Sequence, residues 1–178
     1  MASSTARRKA AGTSALPIIG WREGVALPSL GISRVKVKVD TGARTSALHV
    51  TRLKVRQSDD GLLATFDVHP VQRSASPSYR VSAQVIDQRD VRNSGGSSER
   101  RVVVRLPVVL GQHVFHAEVT LTRRERMGFR MLLGREAMRG RFLVDPHASF
   151  LHDDPRPVEP PANGQGPAPV SDPPPEES

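Results

Sequence analysis

The sequence has no cysteine in its 178 residues. That excludes a disulfide framework, thiolate zinc sites, iron–sulfur clusters and a cysteine nucleophile. Aromatic residues amount to 4%, so a core has to be built mainly from Val, Leu, Ile, Ala and Met. No run approaches the roughly 18 apolar residues of a membrane-spanning helix, so no integral membrane protein is expected. Lysine is scarce: arginine supplies 22 of the 26 basic residues. No Gly-x-x-x-x-Gly-Lys-Ser/Thr loop is present, so nucleotide phosphates lack that cradle. None of the six histidines (His49, His69, His113, His116, His147, His152) stands in His-Glu-x-x-His.

What is present divides into three parts. Residues 1–16 are rich in Ser, Thr and Ala and carry Arg7, Arg8 and Lys9. They lack the apolar segment of a secretory signal and read as a flexible basic N-terminus, with the cytoplasm as the expected location. From Asp153 onward come nine of the fifteen prolines and six acids. Such a composition cannot bury enough apolar surface to offset ordering, so 153–178 reads as a disordered, Pro-rich acidic tail. Residues 17–152 remain as the folded domain, with 22 basic and 12 acidic residues, a net of +10.

Within that domain the patterning is that of strands. Val35, Val37 and Val39 alternate with Arg34, Lys36 and Lys38, the period-2 signature of a half-buried strand. Leu63–Val68 and Tyr79–Ile86 are further candidates. Arg101–Leu110 and Val114–Thr122 flank a Gly111-Gln112-His113 turn, and Asp59-Asp60-Gly61 is another turn after Leu53–Val55. One short helix is expected, over 134–141. Short β-branched strands joined by turns predict an all-β barrel or sandwich.

The stretch Val35–Leu48 carries the chemistry. A strand ends on Asp40, and Thr41-Gly42-Ala43 turns the chain. A carboxylate on a rigid turn at a strand end suits acid–base work. By itself the tripeptide is more commonly an Asx turn, in which the carboxylate only caps its own loop. Thr41 and Ser46 are able to bond local backbone. Some ninety residues downstream, Leu132-Leu133-Gly134-Arg135 opens the expected helix.

Together these elements resemble the retropepsins, single-domain aspartic peptidases in which an apolar-apolar-Gly segment packs beneath the Asp-Thr-Gly turn. The longer strings Asp40–His49, Arg92–Arg101 and Leu133–Met138 are similar to a bacterial retropepsin-like family. That family carries the label ATP-dependent zinc protease and is associated with RimK-type ATP-grasp ligases that append glutamates. The resemblance spans about Ile18–Leu151. It implies an all-β closed barrel with one short C-terminal helix, assembled as a two-fold homodimer.

The resemblance also implies roles. Asp40 would be the catalytic aspartate, with Thr41 steadying the paired turns and Gly42 contacting substrate backbone. Ala43, Arg44 and the loop residues Asn93, Ser94, Gly95 and Gly96, read as a flap, would meet substrate. Ser46, Leu132, Leu133, Gly134 and Arg135 would support the site. The mechanism needs two aspartates about 3 Å apart sharing one proton, and the chain has a single Asp-Thr-Gly. A homodimer pairing Asp40 with its symmetry mate follows.

Retroviral members carry acids after Asp-Thr-Gly-Ala, where this chain has Arg44 and Thr45. That change removes the usual partner of Arg135 and, with the basic domain, suggests acidic or glutamate-tailed protein substrates. No metal and no cofactor are expected: His113 and His116, three apart on a strand, face opposite ways. Any ATP link would run through a glutamate-ligase partner. Two other readings stand beside the peptidase. One is a catalytically silent retropepsin-like binding module. The other is a basic nucleic-acid-binding β-barrel, supported by Arg100-Arg101 and Arg123–Arg126 but opposed by the scarcity of stacking aromatics.

Overall fold

Val35, Val37 and Val39 are buried while Arg34 and Lys38 are exposed, because successive side chains of a strand point to opposite faces. This strand belongs to a computed structural model that describes residues 15–92, 98–123 and 128–152. In chain order the elements are β1 (Ile18–Gly20), β2 (Arg22–Leu27), a 3₁₀ turn (Pro28–Leu30), β3 (Ile32–Asp40), β4 (Ser46–Ser58) and β5 (Gly61–Val68). There follow β6 (Tyr79–Arg92), β7 (Ser98–Leu110), β8 (His113–Thr122), β9 (Met131–Gly134), α1 (Arg135–Met138) and β10 (Leu143–Asp145). Asn93, Ser94, Gly95 and Gly96, expected as a flap, lie outside the described residues. So do Arg124–Arg126 and nearly all of both expected tails.

Eight strands form one sheet in the order β2-β3-β9-β4-β5-β6-β7-β8. Ala26 of β2 also pairs with Val109 of β7, and Ser46–His49 of β4 pair in parallel with Val119–Thr122 of β8. These cross-pairings close the sheet on itself, as the barrel expectation required. The β4–β5 hairpin turns at Asp59-Asp60, and the β7–β8 hairpin at Gly111-Gln112. Gly61 and Gly111 have φ of 113° and 56° there, a region that L side chains resist. The core is aliphatic: Leu48, Leu106, Leu110, Met131 and Leu133 are fully buried, with Phe66 the largest fully buried side chain.

Three details depart from the sequence reading. The helix is α1 alone, four residues instead of eight, because Arg139 leaves helical geometry and Gly140 turns with φ 69°. Strand β4 begins at Ser46, well before Leu53. Its first five residues are all buried, so they show no polar–apolar alternation. Strand β2, with Glu23–Leu27 buried, escaped notice for the same reason. No helix among the described residues is long and apolar enough to cross a membrane.

Two buried carboxylates knit the fold. Glu23 is fully buried, and its Oε1 accepts from the N–H groups of Gly20 (2.7 Å) and Leu151 (3.0 Å), its Oε2 from that of His152 (3.0 Å). It thereby ties residues 151–152 to the β1–β2 corner, beside the parallel β1–β10 pair.

Asp67 on β5 is also buried, accepting from Arg80 Nη1 at 2.7 Å and from Arg52 Nε. Burial pushes its pKa up, but the hydrogen bonds and charges of Arg80 and Arg52 outweigh this and hold the carboxyl below the usual aspartate range. A folded-state pKa below the unfolded one contributes stability above the unfolded value, near 4, and that stability is lost as pH falls through the lowered value. Asp67→Asn is therefore expected to cost about 1–3 kcal/mol at neutral pH. It should also flatten the decline of the urea midpoint below about pH 4; a decline as steep as the wild type's would show that other carboxylates govern it.

Candidate active site

The turn bearing Asp40 joins β3 to β4, and β9 lies between these two strands. It pairs in parallel with β3, with Asp40 opposite Gly134, and antiparallel with β4, with Ala47 opposite Leu132. The buried Leu133 and half-buried Leu132 thus lie on the strand that pairs beside the turn.

Backbone bonds lock the turn onto the start of α1. The N–H of Arg135 donates to the Ala43 carbonyl (2.9 Å) and that of Glu136 to the Arg44 carbonyl (3.2 Å). A Cβ on Gly134 would stand 2.6 Å from the Thr45 carbonyl carbon and 2.9 Å from the Arg44 oxygen. Only glycine allows this approach. Ser46 does not bond local backbone. Its hydroxyl accepts from the Gly134 N–H at 3.1 Å, 88 residues away, while its carbonyl accepts from Thr120 Oγ1 at 3.0 Å.

Asp40 itself is half-buried, and Thr41 and Gly42 are exposed. Its Oδ1 accepts from the N–H groups of Gly42 (3.1 Å) and Ala43 (3.0 Å). The carboxylate therefore caps its own turn through one oxygen. Oδ2 has no hydrogen-bond partner among the described residues, which leaves it for a water or a substrate group. Three further aspartates of the domain are occupied elsewhere: Asp67 in its arginine pair, Asp87 with Arg89, and Asp145 accepting from the His147 N–H.

Arg135 contributes its backbone, while its exposed side chain makes no ion pair with a described residue. Arg44 stands 3.8 Å from Glu136, which also approaches Arg139 at 3.6 Å. Glu136 was not singled out from the sequence, since nothing in a Gly-Arg-Glu string says which cation it meets.

Two grooves flank the turn. One, of about 740 Å³, is lined by Arg44, Ser46, Arg89, Arg105, Glu118 and Arg141 among others. Asp90 also lines it. The second, of about 480 Å³, is bordered by Thr41, Arg135, Met138, Phe142 and Val144. Among the described residues no three His, Asp or Glu gather as a metal site. His113 packs with Phe142 and His152, and His69 bridges Thr51 and the Ala75 carbonyl.

Several known proteins resemble this chain. A Parasynechococcus marenigrum protein named probable alpha-L-glutamate ligase is 46% identical over 137 residues, covering 77% of this chain and 29% of its own. A Shewanella halifaxensis protein of the same name is 43% identical over 133 residues, covering 75% and 29%. The chain thus spans under a third of these longer relatives. A Legionella pneumophila crystal structure, described as of unknown function, superposes with a TM-score of 0.65 at 26% identity, covering 77% of this chain and 98% of that one. The family model described as retropepsin-like aspartic endopeptidase RimB matches residues 18–155, and the chain belongs to this RimB-like family.

Proposed function

We propose that the protein is an aspartic endopeptidase whose active site forms when two copies bring their Asp40 turns together. The observation that carries this reading is the Asp40 turn itself. One carboxylate oxygen is fixed by two N–H groups, the other is open, and the whole turn is clamped through Gly134 and Ser46. Rigid placement is what acid–base catalysis requires. Two such carboxylates in contact hold one proton between them. The ionised one takes a proton from water as it attacks the scissile carbonyl, and the protonated one donates to the carbonyl oxygen. Collapse of the tetrahedral species expels the amine, with no covalent intermediate. The pair titrates as a unit.

The homodimer is supported by an apolar surface beside the turn. Ile18 is 50% and Leu143 53% exposed, on paired strands β1 and β10. Val144, the next residue of β10, points to the other face of that strand and shares a groove with Thr41, so the exposed pair borders the neighbourhood of the turn and offers a second copy an apolar surface to cover. Hydrolysis of a glutamate-tailed protein by wild type and by Asp40→Asn, with EDTA present, tests the proposal.

For the substrate we favour an acidic segment. In the larger groove Glu118 is held by Arg89 at 2.9 Å and Glu136 by Arg44 and Arg139. Arg105 and Arg141 line the same groove with no ion pair to a described residue. Arg105→Gln with Arg141→Gln is expected to raise KM for a glutamate-tailed substrate about tenfold with kcat little changed, and to weaken the salt dependence. An unchanged KM would remove these arginines from recognition. The named ligase relatives support a functional link to a RimK-type glutamate ligase, which would supply such tails.

A further inference from the structure

A dense cluster of cations lies away from Asp40. Arg52, Lys54, Arg80 and Arg123 line a groove of about 490 Å³ on β4, β6 and the end of β8, and no acidic side chain borders it among the described residues. The only nearby carboxylate so described is Asp67, buried behind Arg52 and Arg80. Four cations against one carboxylate leave a local excess of three. The larger groove near Asp40, by contrast, mixes four arginines with Asp90, Glu118 and Glu136.

The cluster is built. Arg80 Nη1 donates to Asp67 and to the Arg52 carbonyl (3.2 Å), and Arg123 Nη2 donates to the Leu53 carbonyl (3.2 Å). These carbonyls belong to the bulge in β4 where the register shifts between Thr51 and Lys54. Arg52 sits there with φ 48°, a left-handed conformation that costs a non-glycine residue on the order of 1 kcal/mol. The bulge turns the Arg52 side chain onto Asp67 and into the group. Asp67 thus acts as an internal strut that positions two guanidiniums, each retaining further N–H donors.

We propose that this cluster is a binding site for a phosphate group. A carboxylate is satisfied by one guanidinium fork, whereas cations converging from three strands suit a dianion with oxygens in several directions. Counting about 3.3 Å per residue from Ser46 to Arg52, the site lies roughly 20 Å from the Asp40 turn. It is independent of the peptidase chemistry, so Asp40→Asn keeps it intact.

The test is calorimetric titration of the full chain with inorganic phosphate and, separately, with a short single-stranded RNA. Wild type is compared with Lys54→Gln/Arg123→Gln, which leaves the Asp67 ion pairs in place. Saturable phosphate binding, weakened at least tenfold in the double variant and regained with Lys54→Arg/Arg123→Lys, is the expected result. If RNA binding falls in parallel and loses part of its salt dependence, a nucleic-acid backbone is the source. If RNA binding is absent, the site takes free or small-molecule phosphate, and the proposal still holds. Absent phosphate binding, equal binding by the double variant, or displacement of phosphate by polyglutamate at matched charge would each overturn it.

Discussion

Asp40→Asn should reduce hydrolysis of a glutamate-tailed protein by at least about a thousandfold, while leaving the fold intact. An amide is nearly isosteric with the carboxylate, and its oxygen can still accept from Gly42 and Ala43. The turn therefore keeps its cap and loses only the proton chemistry, which contributes on the order of 10²–10⁴ per acid–base group. Mixing gives a sharper readout. In a shared site, equal amounts of wild type and variant leave about half the activity per wild-type chain, because mixed dimers hold one carboxylate. Full retention of activity per wild-type chain would mean that each chain works alone. Equal hydrolysis by wild type and variant would remove Asp40 from catalysis and advance the binding-module reading.

Gly134→Ala should be severely damaging for the addition of a single methyl group. Its Cβ would meet backbone atoms of Thr45 and Arg44 at 2.6–2.9 Å, and backbone cannot swing aside as a side chain does. Relief requires β9 and the turn to separate, which strains the bonds from the Arg135 and Glu136 N–H groups and from Gly134 to Ser46. The expected loss is about 3 kcal/mol of stability, measured by urea unfolding. A tenfold or greater fall in kcat is also expected at temperatures where the variant is folded, since displacing a reacting group by about 1 Å costs up to 10². Ser46→Ala removes the same clamp without a clash and should cost less stability. Normal stability and activity in Gly134→Ala would show that the turn is not positioned by β9.

The two predictions draw on different layers of information. The Asp40 turn was legible because a strand with strict Val alternation runs directly into Asp-Thr-Gly, and because Leu132-Leu133-Gly134-Arg135 stands downstream of it. Both are short strings whose meaning is local. The buried start of β4 was not legible: Ser46–Val50 pack on both faces, so their pattern carries no period. Nor was the target of the Ser46 hydroxyl, since local backbone and Gly134 are equally good partners until the barrel closes.

The sequence by itself determined an all-β domain with an aliphatic core, a cysteine-free chemistry and one candidate carboxylate. Those properties follow from composition and from periods of two residues, which survive without knowing what packs on what. Only the tertiary structure decided that Gly134 meets Thr45, that Arg44 finds Glu136, that Glu23 holds the Leu151–His152 backbone, and that Asp67 gathers Arg52 and Arg80 beside Lys54 and Arg123. Each is a choice among many equivalent polar partners, and it is settled by strand order and burial, which bring together residues that the chain keeps far apart.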